Sequence, residues 1–211
     1  MLGKFVTIEG PDGSGKTSVR KRLVELLQAE GCNDLVITRE PGGSPISEQI
    51  REVILDVDNQ AMDARTEALL YAASRRQHLV DTVIPAQQDG KLVISERFVD
   101  SSLAYQGVAR NLPVDLIWQI NHFAIEDHLP DLTLLIDVPA QVGIDRIHRA
   151  RGSRQFDRLD QESLAFHELV RQAFLDLAAA NPERIIVVDG QESLEEVAQA
   201  CLSILRKHEI I

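Results

Sequence analysis

Residues 10–17 read G-P-D-G-S-G-K-T and satisfy the pattern G-x-x-x-x-G-K-[ST] at every fixed position. Those residue types at that spacing hold phosphate. Gly10, Gly13 and Gly15 let the backbone curl until its N–H groups converge on phosphate oxygens. Lys16 can reach β- and γ-phosphates, and the Thr17 hydroxyl can ligate Mg²⁺. The expected ATP-binding set is Gly10, Pro11, Asp12, Gly13, Ser14, Gly15, Lys16, Thr17 and Ser18. A second cluster of chemistry-bearing side chains lies between 146 and 158, where Arg146, His148, Arg149, Arg151, Arg154 and Arg158 form a basic segment in an acidic chain.

Such a loop works only between a strand and a helix. The apolar run Phe5-Val6-Thr7-Ile8 supplies the strand, and apolar residues at helical spacing follow Ser18. The helix N-terminus adds its partial positive charge to the loop. Further strand-like runs recur over Leu35 to Thr38, Lys91 to Ser95, Leu132 to Asp137 and Arg184 to Val188. Helical patterns fall near 16–30, 46–56, 63–88, 113–126, 140–150, 160–180 and 193–208, with Pro85 placed to kink or end the third. Strands alternating with helices predict an α/β fold: a five-stranded parallel sheet of the P-loop NTPase type with helices on both faces. One domain is expected over 1–211, with a short mobile lid at about 148–159. Ligands of such sheets bind beyond the carboxyl ends of the strands. The residues placed there include Thr38-Arg39-Glu40-Pro41-Gly42-Gly43-Ser44 and Ser95-Glu96-Arg97.

Composition narrows the function. A net charge of −11 argues against a nucleic-acid polymer as partner, while a small phosphorylated ligand needs only local positive charge. No apolar run approaches a membrane span, and a first strand beginning about four residues in leaves no room for a signal peptide. Cys32 and Cys201 stand far apart, with no metal or redox spacing, as expected of reduced thiols in a cytoplasmic protein. No N-K-x-D guanine signature is present, which disfavours a GTPase switch. Asp137, at a strand end, could be an acidic partner of a motor ATPase, but the chain lacks the accessory length such machines need, and a structural role is expected for it.

Five segments in order carry a resemblance: the phosphate loop, T-R-E-P-G-G-S at 38–44, L-L-Y-A-A-S-R-R-Q-H at 69–78, E-R-F-V-D-S-S-L-A-Y-Q-G at 96–107, and the arginine segment ending D-R-L at 157–159. Across nearly its whole length the chain resembles bacterial thymidylate kinases, of the nucleoside monophosphate kinase group. The resemblance implies phosphorylation of dTMP to dTDP by ATP with Mg²⁺, on the way to dTTP, in a homodimer. It implies that Arg97 holds the acceptor phosphate with Arg51, that Tyr71 stacks on thymine, and that Arg75 donates to a thymine carbonyl. Ser102 and Gln106, four apart on one helix, complete the base contacts, and Glu40 lines the pocket. By the same resemblance Asp12 would accept from the sugar 3′-hydroxyl, Tyr105 would fill the space of a ribose 2′-hydroxyl, and Glu96 would orient a magnesium-bound water. Tyr71 stands where most relatives carry Phe, and Glu96 where many carry Asp. The loop, with Gly13-Ser14, holds no arginine, so a lid arginine must close on the γ-phosphate. Of Arg149, Arg151, Arg154 and Arg158, the resemblance favours Arg151 and Arg158. With Lys16, Arg97 and Asp12 these make up the expected catalytic set. A kinase for another nucleotide or nucleoside, or a non-catalytic nucleotide-binding protein, are the alternatives.

Overall fold

Five strands form one parallel sheet: β1 (Phe5–Glu9), β2 (Leu35–Arg39), β3 (Leu92–Glu96), β4 (Leu132–Asp137) and β5 (Ile185–Asp189). Their order across the sheet is β2-β3-β1-β4-β5. The computed structural model describes residues 2–150, 158–159 and 162–211, so Arg151 and Arg154 lie outside the described residues. The sequence-based strands match these five to within one residue at each end.

The central strands are buried along their length because helices cover both faces. Period-2 alternation divides their side chains. Val6, Ile8, Leu134 and Ile136 face α1 (Lys16–Ala29) and α9 (Leu194–Lys207), meeting Val19, Leu23, Leu27, Leu202 and Leu205. Phe5 and Val93 face the other way, onto Leu79, Val83, Phe98 and Ile125. Leu135 packs with Phe166, Val170 and Phe174 of α8 (Leu164–Ala180). Each such large apolar side chain stabilises the fold by about 1.5–3 kcal/mol on burial. Two threonines break the apolar run at the sheet centre, and Thr7 and Thr133 satisfy each other with a 2.8 Å hydroxyl hydrogen bond.

The helical pattern near 63–88 is one helical path in three pieces. Asp63 caps α3 (Ala64–His78) by accepting from the Arg65 and Thr66 amides. A π-helical turn over Leu79–Val83 follows, and then the short α4 (Ile84–Gln88). Pro85 has no N–H and cannot close the normal ladder. The wider π turn, in which the Ile84 amide donates to Leu79 O, carries the chain past it. Pro85 therefore neither ends nor visibly breaks the path.

The remaining helices are α2 (Pro45–Leu55), α5 (Val99–Ser102), α6 (Val114–Ile125) and α7 (Ala140–Arg149). The α5 helix continues as a second π segment, Leu103–Ala109, closed by the Arg110 amide donating to Tyr105 O at 2.8 Å. Ser102, expected on one helix with Gln106, ends α5, and Gln106 sits on the π segment that continues it.

Candidate active site

The phosphate loop leaves β1 at Glu9 and enters α1 at Lys16. Its close fit depends on glycine. Gly10 has φ 146°, and a Cβ there would lie 2.3 Å from Ile136 O. Gly13 has φ 73°, and a Cβ there would lie 2.1 Å from Gly143 O. The loop is thus pressed against the end of β4 and the backbone of α7, and any side chain would push it away.

Lys16 is folded onto the loop, donating to Gly10 O at 3.0 Å, Pro11 O at 2.7 Å and Ser14 Oγ at 3.3 Å. Burial, together with the Arg97 charge, lowers its ammonium from the ordinary 10.5 to about 7, against the opposing pull of Asp12, Glu96 and Glu9. Thr17 Oγ1 donates to Glu96 Oε1 at 2.8 Å, and Arg20 Nε lies 3.7 Å from Glu96 Oε2. A hydroxyl and a carboxylate side by side at the loop mouth form an oxygen donor set that suits a hard divalent cation shared with phosphate.

Arg97 follows β3 with φ 69°, a backbone conformation costly for a side chain of its size. The surroundings hold it there. Its amide donates to Ile8 O at 3.0 Å, and the Ser95 hydroxyl donates to its carbonyl at 2.9 Å. Glu9 fixes the turn beyond, with Oε1 accepting from the Phe98 amide at 2.7 Å and Oε2 from Ser101 Oγ at 2.6 Å. Burial, reinforced by Asp100, raises the Glu9 carboxyl to about 7.

The Arg97 guanidinium then reaches Gly10 O at 3.2 Å, Ser101 Oγ at 3.0 Å and Tyr105 OH at 3.1 Å, and pairs with Asp12. Tyr105 OH donates to the second Asp12 oxygen at 2.8 Å. Burial alone would raise the Asp12 carboxyl. The Arg97 and Lys16 charges and the Tyr105 hydroxyl outweigh it and hold Asp12 below its ordinary value.

Most of the expected acceptor residues converge on the same mouth, whereas Arg75 and Ser102 are buried and line neither its open cavity nor the recess behind it. Asp12, Lys16, Glu40, Arg51, Tyr71 and Arg97 share one open cavity of about 560 Å³, with Thr17 and Glu96 at its edge. A narrower recess behind it is lined by Tyr71, Arg97, Ser101, Tyr105 and Gln106. Arg51 donates to Pro41 O at 2.9 Å. Arg75 is deeper than a surface donor would be, at 1% exposure. It donates to Glu40 Oε2 at 2.8 Å, Ser102 Oγ at 2.9 Å and Phe98 O at 3.0 Å, and also to Asn121. Glu40 in turn meets His78 Nδ1 at 2.8 Å. Arg75 is thereby held in place by internal partners.

Arg158 is not brought to the phosphate loop. It is buried on Glu67, and its Nε donates to Ile54 O at 3.2 Å. Arg149 Nε is bonded back to Asp145 O at 3.2 Å. Asp137 accepts from Arg171 through both oxygens at 2.8 Å, and this structural pairing ties β4 to α8.

Several contributors were not selected from sequence. Arg146 reaches Ser14 O at 3.4 Å and Gly190 O at 3.1 Å, so the first arginine of the basic segment braces the loop from α7. Gly143, Glu9 and Glu67 are the others. Two of these had a signal: a carboxylate ending an apolar strand, and a carboxylate four residues before Tyr71 on one helix face.

A parallel sheet ordered 2-3-1-4-5, a glycine phosphate loop after its central strand and an arginine-lined cavity shared with that loop define a P-loop kinase of small acceptors. A model of the thymidylate kinase family matches residues 8–201. The thymidylate kinase of Latilactobacillus sakei subsp. sakei (strain 23K) is 56% identical over 205 residues, covering 97% of this chain and 95% of that protein. That of Enterococcus faecalis (strain ATCC 700802 / V583) is 54% identical over 200 residues, covering 95% and 94%. A crystal structure of thymidylate kinase from Ehrlichia chaffeensis matches with a TM-score of 0.76 at 32% identity, over 98% of this chain and 99% of that one. The chain belongs to the thymidylate kinase family.

Proposed function

We propose that this chain transfers the γ-phosphoryl group of ATP to the phosphate of dTMP, giving ADP and dTDP. The observation that carries this reading is the shared mouth, where the phosphate loop and the arginine-lined acceptor cavity open onto one space. An ionised phosphate oxygen of dTMP attacks the γ-phosphorus in line, and the bond to the β–γ bridging oxygen breaks. The acceptor is already an anion, so no general base is needed, and catalysis is positioning and charge stabilisation.

Lys16 exchanges the carbonyls of Gly10 and Pro11 for the donor phosphates. Arg97 and Arg51 hold the acceptor phosphate, where a planar guanidinium pairs with two oxygens at once. Asp12, released from Arg97, accepts from the sugar 3′-hydroxyl, and Tyr105 occupies the room a 2′-hydroxyl would need. Tyr71 stacks on the base, with Arg75, Ser102 and Gln106 at its edge, and Glu40 lines the pocket and pairs with Arg75. Thr17 directly and Glu96 through water would hold Mg²⁺, whose charge would offset that of the donor phosphates.

A lid over about 148–159, belonging to the same domain, supplies the arginine that the loop lacks. Arg151 is one candidate. Arg158 is the other, and it must leave Glu67 to serve. The working form is a homodimer in the cytoplasm. Exposed Leu69 on α3 and Leu116, Trp118 and Phe123 on α6 offer the apolar face for it.

ADP release in the presence of ATP and Mg²⁺ tests the reading. Turnover should be strong with dTMP, weaker with dUMP, slight with ribothymidine monophosphate, and least with dCMP and dAMP. Nucleotide binding without acceptor-dependent ADP release would refute it.

A further inference from the structure

Glu67 has no part in the mechanism above, yet it touches residues that do. It is buried on α3, one turn before Tyr71. Its Oε1 accepts from Gln106 Nε2 at 2.8 Å, its Oε2 pairs with Arg158, and Arg110 lies 3.4 Å from each oxygen. Burial alone would raise this carboxyl, but the Gln106 amide, Arg158 and Arg110 outweigh burial and keep it ionised. An ionised carboxylate only accepts hydrogen bonds. Gln106 must therefore present its NH₂ end to Glu67.

Gln106 is itself 1% exposed and lines the recess shared with Tyr71 and Tyr105. With that N–H donor held by Glu67, the orientation of the amide is set and its carbonyl is left for a ligand. Among the described residues nothing hydrogen-bonds that carbonyl. We propose that Glu67 is a positioning residue for base selection: it locks the Gln106 amide so that an acceptor, and not a donor, faces the edge of the incoming base.

A thymine or uracil ring carries a proton on the nitrogen between its two carbonyls and satisfies that acceptor. The corresponding cytosine nitrogen is bare, so two lone pairs would face each other in a buried recess, and the site's own carbonyl would stay unpaired. The inference rests on the proposed reading of Tyr71 and Gln106 as the base-reading pair.

The test compares kcat/KM for dTMP, dUMP and dCMP in the full chain, in Glu67→Gln, in Gln106→Leu and in the double variant. The dUMP-to-dCMP ratio is the readout, because neither base carries the 5-methyl group. In Glu67→Gln the Gln106 amide is free to turn, and the ratio should narrow roughly tenfold or more, the scale of one misdirected buried hydrogen bond. In the Gln106→Leu background the same substitution should leave the ratio where Gln106→Leu alone puts it. An unchanged ratio in Glu67→Gln, with all three acceptors slowed alike, would assign Glu67 to Arg158 and overturn the proposal. Equal narrowing with and without Gln106 would also overturn it. If Glu67→Gln does not fold by thermal unfolding, Glu67→Asp keeps the charge but withdraws it from Gln106, and the same two outcomes decide. Absence of dTMP turnover in the unmodified chain defeats the kinase reading itself. Turnover with an unmoved ratio defeats only this one.

Discussion

Lys16 shows what a motif leaves unsaid. Its position and its partner phosphates follow from the loop pattern, but its state in the free protein depends on neighbours contributed by other strands. Burial and Arg97 bring it to about 7 from 10.5. Between those values the unfolded chain holds the proton and the folded chain does not. Stability from this residue is therefore complete above 10.5 and is lost as pH falls through about 7. Donor phosphates reverse the balance by favouring the charged form. ATP binding at pH 8 should thus take up about one proton per site, and far less at pH 6. Calorimetry in two buffers of different ionisation enthalpy reads this directly. Lys16→Arg, charged in both states, should abolish the uptake, and buffer-independent heats at pH 8 for the native lysine would contradict the account.

Among the elements, the strands were legible because continuous apolar runs bounded by polar turns have few alternatives in a chain of alternating helices and strands. Helix faces were legible as well, so Tyr71 and Arg75 could be placed on one surface. Hydrogen-bond partners were not, because spacing along the chain encodes direction and says nothing of what lies opposite. The same limit hid both π turns, which show only in the ladder, and the depth of Arg75, whose partners Glu40, Phe98, Ser102 and Asn121 come from three separate segments. It also hid the work of Glu9 in holding the turn after β3. Glu9→Ala would leave the Phe98 amide and the Ser101 hydroxyl without the acceptor Glu9 provides, at about 1–3 kcal/mol each. A lower melting temperature should accompany a KM for dTMP that rises several-fold more than the KM for ATP. This is because Ser101, which Glu9 anchors, is a tether of Arg97. Equal changes in both constants would indicate general loosening instead.

At the scale of the molecule, the parallel sheet follows from the alternation of elements, while the order β2-β3-β1-β4-β5 does not, since crossovers of similar length permit several orders. That order puts the carboxyl ends of β1 and β3 side by side, so Asp12 and Arg97 meet although 85 residues separate them. Subunit association was likewise only implied by resemblance. Phe123, 87% exposed, is the sharpest probe of it. Sedimentation should find dimers for the native chain and mostly monomers for Phe123→Glu, and dimers in both would move the interface elsewhere. The Arg97–Asp12 pair has a consequence for traffic at the site mouth. On the proposed reading of Arg97 as the acceptor arginine, it already holds an anion, tethered at an effective concentration that a small solute does not match. Sulfate or inorganic phosphate can displace that carboxylate only by leaving it stranded. A nucleoside monophosphate arrives with an anion for the arginine and a hydroxyl for the aspartate, and trades partners with both at once. The proposed exchange would make the pair a filter, passing sugar phosphates and turning back bare ions.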